Sequence, residues 1–435
     1  MGISTADTRP VACWRRVGAS LAIATSLTVV APLAHADSSF TATSGFPFAT
    51  TSVWNSAIPS SPALMSNSSS MVANLNSSQH TADLNDYAIP IYNATSSSPT
   101  VTVTCTNTSW GTCPIPSSIH LPSGAIPNAG TDHVIEDIDW STSPVTAYEF
   151  WQANSPSSGA ISTAWGGTAV DVKTGPGIAA GGGTTGSATA SNVSRLAGVI
   201  RMREIQAGSI PHALEIGSSF ACTGYFRYPA AKTDGPSTNA NCIPEGARIQ
   251  LDPSVNISSL PAGEKAIAAA LQTYGAYVCD TAGSPFALAF EGDPSLIGQS
   301  GQVPMAYSNA GLSWDYYDMT DIPWSSLRVL QQWNGGTDTA APTTVTGVTA
   351  SNVAANGATI SFSPSSDGQG SGVVTYNLWR GDASYNNWVQ VATGPATTLT
   401  DTTAAPNTTY NYAVRAQDGV GNISVSSANV MVTTP

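Results

Sequence analysis

Glu149 lies in Tyr148-Glu149-Phe150-Trp151, a carboxyl set among aromatic side chains. Desolvation beside aromatic rings raises a carboxyl pKa, and the rings offer flat faces for sugars, so Glu149 is a candidate acid or nucleophile for glycosidic cleavage. Glu204 is the second candidate. It precedes His212 by eight residues, and two strands joined through Gln206-Ala207-Gly208-Ser209-Ile210-Pro211 would bring carboxyl and imidazole together for proton transfer. In Asp132-His133-Val134-Ile135-Glu136-Asp137-Ile138-Asp139, strand alternation places His133 on the same face as Asp137, a base oriented by a carboxylate. Hydrolysis of a glycosidic bond uses two carboxyl groups facing each other about 5 to 10 Å apart. Asp132, Asp139, Asp280 and Glu291 are the remaining acidic candidates.

Substrate binding calls for other residue types. Trp151 and Trp165 are candidate sugar platforms. Basic residues concentrate between Arg195 and Lys265, and within that zone Arg201 and Arg248 are candidates to hold a carboxylate or sulfate on a polymer. Two readings compete with hydrolysis. In a polysaccharide lyase, Arg201 or Arg248 neutralises a uronate while His212 or a tyrosine removes the neighbouring proton. In a non-catalytic surface protein, aromatics such as Trp379 and Trp388 bind polymer. GxSxG, HExxH and paired D-[TS]-G patterns are absent, as are CxxC pairs and HxxxH spacing, so neither a peptidase nor a metal site is expected. The glycine run 175–186 lacks the GK[ST] ending of a phosphate loop, and no cofactor is expected.

The elements that must position these residues are mostly strands. The chain has 435 residues, 41% hydrophobic and only 9% charged, which excludes a charged disordered chain or a coiled coil. A formal net charge of -13 disfavours nucleic acid and anionic lipid as partners. Residues 1–36 read as an export leader: Arg9, Arg15 and Arg16 precede an apolar run, and Ala34-His35-Ala36 has the small-x-small form of a cleavage site. Outside the cell cysteines pair, and Cys105 with Cys113 and Cys222 with Cys242 are the expected bridges, leaving Cys279 as a buried thiol. Short β-like runs include 101–104, 133–139, 147–151, 198–203, 212–216, 248–251 and 286–290. A helix is expected over 261–274, where Ile267, Ala270, Leu271 and Tyr274 form one stripe and Gly275 stops it. Residues 37–334 are therefore expected to form a mainly β module, a β-sandwich or jelly-roll-like core with few helices. The small, polar stretch 335–342 reads as a linker.

Residues 343–435 alternate apolar and polar positions at Ala358, Ile360 and Phe362, at Tyr376 and Leu378, and at Tyr410, Tyr412 and Val414. With Val345-Thr346-Gly347-Val348 and Pro406-Asn407-Thr408-Thr409-Tyr410, this segment resembles a fibronectin type III domain. Phe362 stands where many members carry Trp. The resemblance implies an immunoglobulin-like β-sandwich with a tyrosine-corner-like turn. The first module resembles a sparsely characterised group of exported bacterial proteins. The similarity rests on Leu196-Ala197-Gly198-Val199-Ile200-Arg201, Glu204, Gly208-x-Ile210-x-His212-Ala213-Leu214, Gly246-x-Arg248-x-x-Leu251, Asp132-His133-Val134 and Tyr148-Glu149-Phe150. Fibronectin type III modules often accompany exported glycoside hydrolases, so the resemblance implies polysaccharide breakdown. The expectation is a secreted, monomeric hydrolase of glycosidic bonds, with a polysaccharide as its partner and no membrane once the leader is removed.

Overall fold

The computed structural model describes residues 47–50, 52–58, 62–178, 187–331, 339–365, 367, 373–394, 396–418 and 421–435. The leader, most of the glycine run and the start of the linker lie outside them. The fold is mainly β, with four α-helices among the described residues.

Three sheets of the first module stack on one another. The middle sheet has five strands in the order Glu291–Gly292, Ile89–Ala94, Ile135–Asp139, Thr146–Trp151, Trp165–Ala169. On one face it turns Tyr92, Ile135, Tyr148 and Phe150 towards Val101, Val103, Ile119 and Ile161 of a three-stranded sheet. On the other it presents Ile89, Ile91, Ile138 and Ala147 to Trp54, Leu196, Val199, Tyr277 and Cys279. Burial on both faces explains why every residue of Ile135–Asp139 is buried, including three acids.

Tyr277 and Cys279 belong to Ala276–Asp280, in the middle of a seven-stranded sheet whose centre runs Leu214–Gly217, Ala276–Asp280, Arg248–Leu251. Alternation sends Ala276 and Val278 to the opposite side, where they meet Ile267 and Leu271 of the helix Ala262–Thr273. That helix occupies the expected span, with Pro261 before it and Gly275 after it at φ 72, a conformation in which glycine carries no Cβ penalty. Leu214–Gly217 and Ala276–Asp280 run parallel, so their carboxyl ends emerge side by side.

One expected strand is absent. Residues 198–203 instead lead from a 3₁₀ turn, Arg195–Ala197, into the helix Met202–Ala207. Glu204 accepts a hydrogen bond from the Arg201 backbone N–H at 2.9 Å, and Gly208 ends the helix at φ 67. The apolar run that suggested a strand packs inside because the turn itself is buried.

The C-terminal unit pairs a three-stranded sheet with a four-stranded one around Ile360, Tyr376, Leu378, Tyr412 and Val414. The Tyr410 hydroxyl accepts from the Ala405 backbone N–H at 3.1 Å, tying the turn to the strand that follows. Cys105–Cys113 and Cys222–Cys242 are bridged, and Cys279 is a buried thiol.

Candidate active site

The first module is poor in Lys and Arg, and several of its buried acids, Glu149, Glu264 and Glu291 among them, accept hydrogen bonds from backbone N–H groups. Glu149 is the fullest case. One carboxylate oxygen accepts from Ser187 Oγ at 2.6 Å and Ala188 N at 3.0 Å, the other from Ser194 Oγ at 2.7 Å and Arg195 N at 3.1 Å. With 1% of its surface exposed, Glu149 holds the 187–195 segment in place and does not itself line a cleft. Directly across the strand pair, Glu136 is fully buried and its carboxyl is pushed well above the usual range by burial and by Glu149.

Glu204 and His212 do meet, Oε2 to Nε2 at 3.2 Å, although Glu204 sits on a helix and not on a hairpin strand. Both are buried, and His212 Nδ1 lies 2.8 Å from the Ala213 carbonyl. Burial pushes Glu204 up, but His212 and Arg201 outweigh it and hold the carboxyl below its ordinary value. Arg201 is fully buried and donates to the Leu196 carbonyl at 3.0 Å. Arg248 donates to the carbonyls of Tyr274 and Ser56 and lies over the Tyr277 ring. These two arginines knit backbone together and are not presented to a ligand. His133 sits in a turn at φ 45 before the strand begins, exposed, while Asp137 points into the apolar layer below. Strand alternation does not reach His133, so the expected pair does not form.

The open site lies at the carboxyl ends of the two parallel strands. Two hollows of about 510 and 590 Å³ share Asp132, Arg195, Asp280 and Thr281 in their walls. Asp280 is the last residue of its strand. Arg195 donates to Asp280 Oδ2 at 3.0 Å and lies 3.1 Å from Glu215 Oε1. Burial pushes the Asp280 carboxyl up to about 6 against the pull of Arg195. Glu215, almost fully enclosed, is pushed to about 8, again chiefly by burial. One guanidinium thus serves two carboxyl groups while Glu136 and Glu149 crowd it from behind. Such a cluster retains protons near neutral pH.

Gly198 makes this approach feasible: a Cβ there would lie 2.6 Å from the Glu215 Cβ and 2.7 Å from its backbone nitrogen. Asp132, exposed at the mouth, accepts from the Trp151 indole N–H at 3.4 Å. Trp151 and Trp165 line the smaller hollow together with Trp110, which stacks on Trp151 at 5.8 Å between ring centroids. Trp110 is carried on a 3₁₀ turn, Thr108–Trp110, inside the loop closed by Cys105–Cys113, and is 57% exposed.

Asp132 and Asp280 stood among the sequence candidates. Arg195 stands in the sequence only as one end of the basic-rich stretch, and neither Glu215 nor Trp110 is singled out there. The usable signal for Trp110 was an aromatic residue within a short disulfide loop.

No protein-family model matches the chain. The chain is similar over 97 residues to endoglucanase B of Cellulomonas fimi, 41% identical, covering 22% of this chain and 9% of that protein. Exoglucanase B of the same organism is 42% identical over 130 residues, 30% of this chain and 11% of its own length. A chitinase of Paenibacillus xylanexedens is 35% identical over 97 residues, 22% and 17% respectively. This chain spans less than a fifth of each of these relatives. Among solved structures, a fibronectin type III domain derived from a human protein aligns with 21% of this chain and 72% of its own, at 18% identity and TM-score 0.19. The C-terminal unit has the two-sheet sandwich and tyrosine-corner-like turn expected of the fibronectin type III fold. The matched stretches are far shorter than the first module.

Proposed function

We propose that the protein is a secreted enzyme that hydrolyses glycosidic bonds in a polysaccharide, with Asp280 and Asp132 as its working carboxyl groups. One observation carries the reading: both acids open onto a cleft walled by three tryptophans, and one of them holds its proton to about pH 6. Asp280 is the proton donor to the leaving oxygen. When it gives up the proton, the adjacent Arg195 stabilises the carboxylate that forms, an interaction that strengthens as the bond breaks. Asp132, at the solvent-facing side, acts as the partner carboxylate. Glu149 positions the loop carrying Arg195, and Glu204 with His212 secures the helix that follows.

The polysaccharide-acting names of the relatives and the export-type leader favour the same reading. The lyase alternative draws on Arg201 or Arg248 with His212 or a tyrosine, and both arginines and the histidine are buried in structural contacts. The test is an assay of the purified protein on a panel of neutral and uronic polysaccharides, following both new reducing ends and the ultraviolet absorbance of unsaturated product. Hydrolysis gives reducing ends alone. Absorbing product identifies a lyase, and binding without product identifies a non-catalytic protein.

A further inference from the structure

The two hollows meet at Asp132, Arg195 and Asp280, so the acids lie between two arms and not at the end of a pocket. Each arm ends in aromatic side chains held in place before any ligand arrives. At one end Trp110 is fixed by the disulfide loop, with Trp151 and Trp165 beside it. At the other end stand Tyr87 and Tyr316, 37% and 43% exposed.

A single carboxylate organises this second end. Asp315 accepts from the backbone N–H groups of Leu84 at 2.7 Å, Asn85 at 3.1 Å and Asp86 at 3.0 Å, and from that of Tyr316 at 3.1 Å. Tyr316 is held at φ 59, a left-handed conformation costly for an aromatic residue, and Tyr87 Oη lies 3.2 Å from Thr131 Oγ1. The walls are also acidic. Among the described lining residues Asp132, Asp234 and Asp280 outnumber Arg195 and Lys232, and Arg195 is already engaged by Asp280 and Glu215; Glu215 and Asp83, raised by burial to about 8 and about 7, add little further negative charge at pH 7.

We infer that the groove takes a neutral, extended, ribbon-like glycan across both arms, so that the chain is cut internally; the cutting step, but not the binding, rests on the hydrolase reading above. Aromatic platforms at both ends suit the flat faces of such a ribbon, and the acidic walls repel a polyanion.

Two polymers with one backbone test this in the full-length protein: neutral hydroxyethylcellulose and anionic carboxymethylcellulose, with binding followed by tryptophan fluorescence and calorimetry at pH 7. The expected result is binding of the neutral polymer and about tenfold weaker binding of the anionic one at low salt, the gap narrowing as salt rises. Trp110→Ala and Tyr316→Ala each weaken binding by about fivefold or more with the far-ultraviolet spectrum unchanged. Equal affinity for the two polymers, failure to bind the neutral one, or a variant in either arm that binds as the parent does overturns the inference. On the same neutral polymer, viscosity falling ahead of reducing-end release supports internal cutting, and short sugars released at constant viscosity contradict it. Two-arm binding with no release of reducing ends overturns the hydrolase reading and leaves the groove assignment standing.

Discussion

Glu149 and Asp280 are both acids in the first module, and their surroundings give them opposite roles. Glu149 has four donors on its two oxygens, so Glu149→Gln turns one acceptor into an N–H₂ facing donors. The expected loss is about 1–3 kcal/mol of stability, with a lowered melting temperature accompanying any loss of activity. With Asp280 as the proposed proton donor, Asp280→Asn at this half-open position is expected to lower kcat by about 10²- to 10⁴-fold with little change in melting temperature. The pH dependence follows from the same carboxyl. A donor must be protonated, and Asp280 is raised to about 6, so kcat falls roughly tenfold per pH unit above that value. A flat profile between pH 5 and 8 would remove Asp280 from this role. Sequence chemistry made Glu149 attractive because it lies among aromatics. It did not show that Ser187, Ser194 and two backbone amides, 38 to 46 residues along the chain, would occupy its oxygens.

At the scale of elements, two local devices set the site. Gly198 lets the Arg195–Ala197 turn lie against the Glu215 strand, and Gly198→Ala forces the two apart. We expect about 1–3 kcal/mol of destabilisation together with loss of the Arg195–Glu215 pair, read as a lower melting temperature and reduced kcat. The Cys105–Cys113 loop carries Trp110. Replacing both cysteines by serine is expected to raise KM for polymer about threefold or more while kcat changes little, because the acids lie outside the loop. Much of this level was legible in the sequence: both disulfides, the helix Ala262–Thr273 and the strand Arg248–Leu251 follow from spacing and periodicity. The stretch 198–203 was not. Its apolar residues suit a strand and a buried turn equally, and long-range packing decides between them. The parallel strand pair that brings Glu215 and Asp280 together joins segments too distant for any local pattern to signal.

Across the whole molecule, the buried acids set how stability responds to pH. Glu136 and Asp137 are raised well above their ordinary values, Glu215 to about 8 and Glu245 to about 9, in each case first by burial. A carboxyl raised on folding binds more protons in the native state than in the unfolded one, so its contribution is present at acid pH and is lost as pH rises from about 4.5 through the folded value. His80, lowered to about 4 by burial between Trp324 and Phe286, acts in the opposite sense, losing stability as pH falls from 6.5 towards 4. The acids outnumber it, so the melting temperature is expected to fall steadily from pH 5 to pH 9; a rise over that range would contradict their raised values. On the proposed reading, a hydrolase built this way is suited to acidic surroundings, where Asp280 also keeps its proton. The most direct test of the account is the rate of reducing-end release from neutral polysaccharide by the parent protein and by Asp280→Asn at pH 5.5, each shown to be folded by its melting curve. The account predicts hydrolysis by the parent and a rate at least about 100-fold lower in the variant. Equal rates in the two proteins would contradict it.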